Sequence, residues 1–208
     1  MIFFFLQALK SYRSTGAIAP SSRFLARSIV QSIPKISSNE NKRILEVGCG
    51  TGAFTKEILK TLQAGDAFHL VELSKDFCVA IEEGLLKSFR EENPEIEVVL
   101  HNAPIEEVNI DGEFDAIICG LPFNNFPVEL VQHLFEVMLK SLRLGGELAY
   151  FEYLGLLKLK RIFGFPKIRR ETKIRTNDIK TRYTKQQGSQ ETVWCNIPSC
   201  RVVRLRGC

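Results

Sequence analysis

Apolar residues recur along this chain in two rhythms. Compact runs rich in β-branched and aromatic residues stand at Arg43-Ile-Leu-Glu-Val, Ala67-Phe-His-Leu-Val-Glu-Leu, Ile96-Glu-Val-Val-Leu-His, Phe114-Asp-Ala-Ile-Ile-Cys and Glu147-Leu-Ala-Tyr-Phe-Glu-Tyr, and each has the length of a strand. Between them apolar positions return at helical spacing, which predicts helices over residues 53–63, 75–90 and 128–142, the second capped by Ser74. A further helix is expected upstream, from an N-cap at Ser21 or Ser22 through Ser32, with Pro34 and the polar stretch 37–42 ending it. Gly145-Gly146 separates the last long helix from its strand, and two β-rich runs about a turn at residues 196–199 close the chain as a hairpin on the sheet edge. Strands alternating with helices predict an α/β fold, a parallel sheet covered on both faces.

The first strand runs into Gly48-Cys-Gly-Thr-Gly52. Gly48 can take the positive φ that ends a strand abruptly, while Gly50 and Gly52 carry no Cβ and let the backbone approach a ligand over the next helix N-terminus. The spacing Gly-x-Gly-x-Gly is not the Gly-x-Gly-x-x-Gly of dinucleotide binders, so a pyrophosphate is not the natural guest. Glu72 closes the second run, where a carboxylate can accept hydrogen bonds from both hydroxyls of a ribose. Gly48, Glu72, Asn102 and Gly120 all fall at carboxyl ends of strands, the edge at which such sheets bind ligands.

A chain of 208 residues with 45% apolar and 25% charged residues suits one globular domain with a sizeable core. Six cysteines without a Cys-x-x-Cys pair read as reduced thiols of a cytoplasmic protein, with no zinc site. Charge is uneven. Residues 154–185 hold eleven Lys and Arg against Glu171 and Asp178, a net +9 within a chain of net +4, so the remainder is −5. Interleaved with Leu154, Leu156, Leu157, Leu159, Ile162, Phe163 and Phe165, this stretch suits an anionic membrane surface or a nucleic-acid backbone, or else a solvated loop whose aliphatics close the core. The start, Met1-Ile-Phe-Phe-Phe-Leu-Gln-Ala-Leu-Lys10, is too short to span a bilayer and lacks the marks of a signal peptide. Phe3, Leu6 and Leu9 can share a helical face, either anchored in a membrane interface or packed on the domain.

The set Glu46-Val-Gly-Cys-Gly-Thr-Gly52 with Val71-Glu-Leu73 resembles motifs I and II of the class I S-adenosylmethionine (SAM)-dependent methyltransferases. Three more blocks narrow the resemblance: Gly16-Ala-Ile-Ala-Pro-Ser-Ser-Arg-Phe-Leu-Ala-Arg27, Gly120-Leu-Pro-Phe-Asn-Asn-Phe-Pro127 and Val193-Trp-Cys-Asn-Ile-Pro-Ser-Cys-Arg-Val202 are similar to the soluble, bacterial-type phospholipid N-methyltransferases. Those enzymes use SAM to methylate the amine of phosphatidylethanolamine in up to three steps, held to the membrane surface by an N-terminal amphipathic helix and basic residues. The resemblance implies a Rossmann-like, seven-stranded, mostly parallel sheet with an antiparallel last strand and helices on both faces. It implies residues 1–36 as a helical cap and candidate membrane anchor, and 37–208 as the methyltransferase domain with the basic insertion 154–185.

For the cofactor it implies Glu46, Gly48, Cys49, Gly50 and Gly52 on the methionine and ribose side, Glu72 and Leu73 at the ribose, Asn102 and Ala103 at the adenine, and Gly120 opposite the loop. Many class I enzymes have aspartate where Asn102 stands; Asn can accept from the adenine amino group through its carbonyl oxygen. Methyl transfer from a sulfonium is an in-line displacement by a neutral amine, so the enzyme has to align reactants and remove a proton from an amine whose pKa is near ~10. Gly120, Leu121 and Pro122 can offer backbone carbonyls with Phe123 walling the methyl, and Tyr12, Tyr150, Glu152 and Tyr153 are candidate proton acceptors or cation-binding groups.

Two other functions fit parts of the pattern. Ribosomal RNA adenine N6-methyltransferases carry Asn-Leu-Pro-Tyr after the fourth strand, where the Asn holds the target amino group and the ring stacks on a flipped base; here Gly120 replaces that Asn. A non-catalytic SAM-binding module at a membrane surface is the other, and the intact glycine loop with Glu72 argues against it.

Overall fold

A strand buried on both faces needs apolar side chains of either parity, and the short runs supply them. In the computed structural model, which describes residues 22–33, 41–108, 114–123, 126–154, 187–196 and 199–207, these runs form β1 (Arg43–Val47), β2 (Ala67–Val71), β3 (Glu97–His101), β4 (Phe114–Cys119) and β5 (Leu142–Tyr153), and the closing hairpin forms β6 (Gln187–Val193) and β7 (Cys200–Arg206). All seven join one sheet in the order β3-β2-β1-β4-β5-β7-β6. The first five are parallel, and β7 runs antiparallel to β5 and to β6. The phenylalanine-rich start, Tyr12, Ser21 and residues 155–186 of the basic stretch lie outside the described residues.

Helices cover both faces. On one lie α1 (Arg23–Val30), α2 (Thr55–Leu59), α3 (Lys75–Ile81) and α4 (Lys87–Glu92), the last two joined through a π-helical turn, Glu82–Leu86; on the other lies α5 (Val128–Lys140). Ser22 caps α1, its Oγ accepting from Leu25 N at 3.2 Å, and Ser74 caps α3 by accepting from Phe77 N at 3.3 Å. Leu25, Ile29, Ile33, Ile44, Ile58, Phe68 and Leu70 are fully buried on the first face, and Leu45, Phe114, Ile117, Leu134 and Phe135 on the second. Each such side chain contributes about 2 kcal/mol by leaving water. Among the described residues no helix is long and apolar enough to cross a membrane.

Three boundaries differ from expectation. The helix after the glycine loop is only five residues, because 51–54 remain in turn geometry. The 75–90 helix is interrupted by its π-helical turn at Gly84. Leu142, placed at a helix end by its spacing, instead opens β5 opposite Phe114, so Gly145, at φ +78°, lies inside the strand where the register shifts.

The amino edge of the sheet is tied by buried carboxylates. Asp66 accepts from Lys42 N (2.8 Å) and Gln63 N (2.9 Å) and pairs with Lys42 Nζ at 3.0 Å. Asp115 accepts from Arg43 N at 2.7 Å and pairs with Arg143. A second polar cluster fastens α1 to the hairpin. Asn196, in the β6–β7 turn, accepts from Ser22 N at 3.1 Å, and Glu191 of β6 accepts from Ser28 Oγ at 2.8 Å and Gln31 Nε2 at 2.5 Å. Arg204 of β7 is buried beneath α1; it donates to the Ser28 carbonyl at 2.5 Å and lies 3.5–3.6 Å from Glu147 and Glu191, ion pairs too long to be good hydrogen bonds. Removing this guanidinium strands a helix carbonyl and the buried Glu147 carboxylate oxygen, so Arg204→Met is expected to lower stability by about 3 kcal/mol in urea unfolding. Glu191→Gln, at a side chain 43% exposed, is expected to cost under about 1 kcal/mol.

Candidate functional site

One row of register partners crosses the sheet. Val47 pairs with Val71 and Cys119, Val71 with His101, and Cys119 with Tyr150. The next residue along each strand therefore forms a ledge: Asn102, Glu72, Gly48, Gly120 and Phe151. The connection from β1 crosses the face of α2, whereas that from β4 crosses the face of α5, so the chain parts between β1 and β4 and leaves a crevice there.

Glycines shape this crevice in different ways. A Cβ on Gly120 would collide with the Gly48 carbonyl, and one on Gly48 would meet Leu121 Cδ2 at 2.5 Å, so the backbones of β1 and β4 touch at their ends. Gly50, at φ +51°, would point a Cβ into open space with nothing within 4 Å. Gly52 differs from Gly50: a Cβ there would meet Leu85 Cδ1 at 2.8 Å, so its missing side chain lets the loop pack on the π-helical turn.

Glu72 grips the loop from β2. It is 6% exposed, and its two carboxylate oxygens accept from Gly50 N (2.9 Å) and Ser74 N (2.8 Å). Each oxygen retains a second lone-pair site, so the carboxylate can still take hydroxyl donors. Asn102 is exposed, and its Nδ2 donates to the Glu72 carbonyl at 2.9 Å, which leaves the amide oxygen as the acceptor to present. Ala103 follows, half-buried, and Leu73 packs on the α5-side core. Cys49 turns inward; its thiol donates to Val71 O at 3.8 Å, and burial, then Glu46 and Glu72, push it well above its ordinary range, so only its backbone faces the loop.

Glu46 lies beneath the loop, fully buried. Its Oε2 accepts from Thr55 Oγ1 at 2.8 Å, and its Oε1 has no hydrogen-bond partner. Thr55, missed in the sequence reading, opens α2 nine positions after Glu46 and is a polar side chain with no exposure, a pairing the spacing alone does not reveal. Burial raises the Glu46 carboxyl from 4.5 to about 8, with Thr55 opposing and Glu72 adding.

Several catalytic candidates are core residues. Tyr150 is 4% exposed and meets Phe135 at 5.0 Å and Phe123 at 5.8 Å on the α5 face; burial, then Glu152 and Cys119, hold its hydroxyl protonated far above its usual range. Phe123 is equally buried, 4.9 Å from Phe135, so it walls the core and not an open cleft. Tyr153 packs on Phe151 at 5.3 Å on the opposite face, and half-buried Glu152 stands opposite Arg201 on β7. Around Gly120-Leu121-Pro122, the Leu121 carbonyl already accepts from Phe123 N at 3.0 Å. The described crevice thus offers backbone, one aligned carboxylate and one sealed carboxylate, and no aligned acid–base pair.

Because Glu46 keeps its proton in the folded protein but loses it when unfolded, its contribution to stability is complete below pH 4.5 and is lost as pH rises through about 8. Glu46→Gln cannot ionise. Relative to wild type it is expected to gain stability across that interval, by at most about 1.4 kcal/mol per pH unit, read by urea unfolding at a series of pH values. A pH-independent difference would show that Glu46 is ionised in the fold.

Residues 44–146 match the family described as methyltransferase domain. Over 146 residues the chain is 30% identical to the ornithine lipid N-methyltransferase of Singulisphaera acidiphila, covering 69% of this chain and 73% of that protein. It is 26% identical over 138 residues to the malonyl-[acyl-carrier protein] O-methyltransferase of Priestia megaterium, covering 66% of this chain and 46% of that one. The fold superposes on magnesium protoporphyrin IX methyltransferase from Synechocystis PCC 6803 with bound S-adenosylhomocysteine at a TM-score of 0.63 and 13% identity, over 96% of this chain and 94% of the other. The SAM-bound form of that protein gives 0.63 at 11% identity, over 88% and 79%. The crevice suits the same donor: Gly50 leaves space above the loop, and Glu72 brings a carboxylate beside it for a molecule that carries hydroxyl donors, a sulfonium and an ammonium. Glycine loop, sheet order and relatives agree: the chain belongs to the class I SAM-dependent methyltransferases and is an enzyme that takes its methyl group from SAM.

Proposed function

We propose that this enzyme methylates the amine of a phospholipid such as phosphatidylethanolamine at a membrane surface. The observation that carries the reading is the 30% identity, over 73% of its length, to a relative that methylates a lipid nitrogen. The geometry is compatible with it. Transfer to an amine asks for alignment and desolvation more than for acid–base catalysis, and the described crevice supplies the first two.

SAM supplies an electrophilic methyl group. In this reading Glu72 holds the ribose hydroxyls while keeping Gly50 N and Ser74 N, Asn102 and Ala103 meet the adenine, and residues 48–52 wrap the methionine part. Glu46 fixes the loop from below through Thr55 and offers Oε1 to an ammonium. The acceptor amine would enter along Gly120–Pro122 in its neutral form, its proton lost to solvent, where the carbonyls of the turn would accept hydrogen bonds from its N–H groups and orient its lone pair. Tyr150 and Phe123 support this turn from the core.

The ring at Phe123, which would stack on a base in the RNA adenine reading, is buried between Phe135 and Tyr150 and speaks against that alternative. A non-catalytic module is separated from an enzyme by release of S-adenosylhomocysteine.

Labelled methyl from SAM is expected in mono-, di- or trimethylated lipid when the protein meets phosphatidylethanolamine liposomes, with protein-free ribosomal RNA as a parallel acceptor. Label in RNA alone would overturn the lipid reading, and label in neither would move the acceptor to other amines. Gly50→Val is expected to abolish SAM binding in calorimetry while the chain stays folded with a loss of about 1–3 kcal/mol for a side chain at positive φ. Retained affinity would place the cofactor elsewhere.

A further inference from the structure

Large apolar side chains are exposed at few described positions, and two of them stand on one side of the carboxyl edge. Trp194, in the β6–β7 turn, is 75% exposed, and Phe24, in the first turn of α1, is 57% exposed. The polar cluster fixes their neighbourhood. Asn196, two residues beyond Trp194, holds Ser22 N, two residues before Phe24. Phe24 also lies on the helix stripe of Ser28 and Gln31, both of which reach Glu191 of β6, so it faces the hairpin one turn nearer the carboxyl edge.

Beside this pair runs a cationic groove of about 690 Å³ between α1 and α2, lined by Arg23, Arg27, Lys56 and Lys60 with Thr51 of the glycine loop. Its one carboxylate, Glu57, is shared by Lys60 at 2.5 Å and Arg27 at 3.7 Å, and no ion pair is made by Arg23 or Lys56 among the described residues. The aromatic pair is not part of the cofactor crevice, and the fold does not require either ring.

We propose that Trp194 and Phe24, flanked by Arg23, Arg27, Lys56 and Lys60, form the surface on which the folded body lies against an anionic lipid bilayer. This rests on the lipid-amine reading and gives it an orientation. Exposed aromatic rings seat at the headgroup level while cations are drawn to a negative leaflet. Both helices begin at the carboxyl edge, so docking there brings the mouth of the crevice to the headgroups. A soluble acidic protein would satisfy the cations without drawing Trp194 among acyl chains, and that difference decides the test.

Trp194 is the only tryptophan in the sequence, so its fluorescence reports this surface alone. With vesicles of phosphatidylcholine and phosphatidylglycerol the full-length protein is expected to show blue-shifted emission and quenching by brominated acyl chains. Both effects should be absent with phosphatidylcholine alone and reversed by salt. Phe24→Ser is expected to weaken vesicle affinity roughly tenfold, and Arg23→Ala or Lys56→Ala about fivefold each, with SAM affinity in calorimetry unchanged as proof of folding. Sedimentation with vesicles while Trp194 emission stays unchanged and unquenched would overturn the proposal, as would full affinity in the Phe24→Ser, Lys56→Ala double variant. A short-chain phosphatidylethanolamine below its micelle concentration separates the two readings. Transfer to it at the wild-type rate by Phe24→Ser is expected if only docking is lost, whereas no transfer by the wild type, with Trp194 still quenched, would overturn the methyl-acceptor reading and leave the surface standing.

Discussion

The close approach of β1 and β4 at their carboxyl ends is the constraint on which the site depends. With no Cβ on Gly48 or Gly120 the two backbones meet where their connections diverge to opposite faces. A side chain at Gly120 would push the strands apart and widen the crevice from below, whereas one at Gly48, itself at positive φ, would displace the Leu121 side chain. The loop that follows must then reverse at once, which it does through positive φ at Gly48, Gly50 and Gly52. Glu72 holds the reversed loop by Gly50 N, and Ser74 N fixes the carboxylate in turn. The ledge from Asn102 to Gly120 is thus set by two missing side chains and one carboxylate.

The buried carboxylates divide the molecule by edge. At the amino edge Asp66 and Asp115 are met by backbone donors and by cations, so their charge is compensated and the turn geometry is firm. At the carboxyl edge Glu46 has one hydroxyl partner and one oxygen with none, and burial holds it protonated towards about 8. A carboxyl in this state lowers stability as pH rises, and it is the kind of strain found where a ligand will later complete the hydrogen bonding. Arrival of a cation near Oε1 would favour the ionised form and release a proton, so a cofactor bound there would have its affinity linked to the protonation of Glu46.

What the sequence disclosed follows from how local each feature is. The five parallel strands are legible because both parities are apolar, and Ser74 and Ser22 are legible as caps because a cap is a contact within three residues. Gly48, Glu72 and Asn102 could be placed at strand ends by counting. The features it did not disclose share a different cause. The packing of Gly52 is not legible, because its neighbour, Leu85, is thirty-three residues away in a π-helical turn that no local pattern announces. Tyr150 reads as a candidate proton acceptor and Phe123 as a wall beside the methyl because hydroxyl and aromatic chemistry is visible in a sequence, while strand parity against α5, which buries both, is not. Leu142 kept helical spacing and was claimed by the sheet through pairing with β4.

The two halves of the ledge differ in how they are built. From β1 to β4 every contact that shapes the crevice is made by consecutive units, so the cofactor half is assembled from one contiguous stretch, the same one that matches the methyltransferase family at large. Beyond Gly120 the wall comes from opposite ends of the chain: α1 is held by Asn196 and Arg204 of the hairpin, and Leu154 leaves β5 bonded to Ser199. These are long-range contacts between segments that lie outside the stretch matching the methyltransferase family. A donor common to many enzymes can be bound by a conserved local unit, whereas an acceptor peculiar to one requires a surface free to vary without disturbing it. Joining α1 to the closing hairpin over the carboxyl edge provides a surface of that kind, and under the proposed lipid-amine reading acceptor choice would lie there, in segments built apart from the glycine loop.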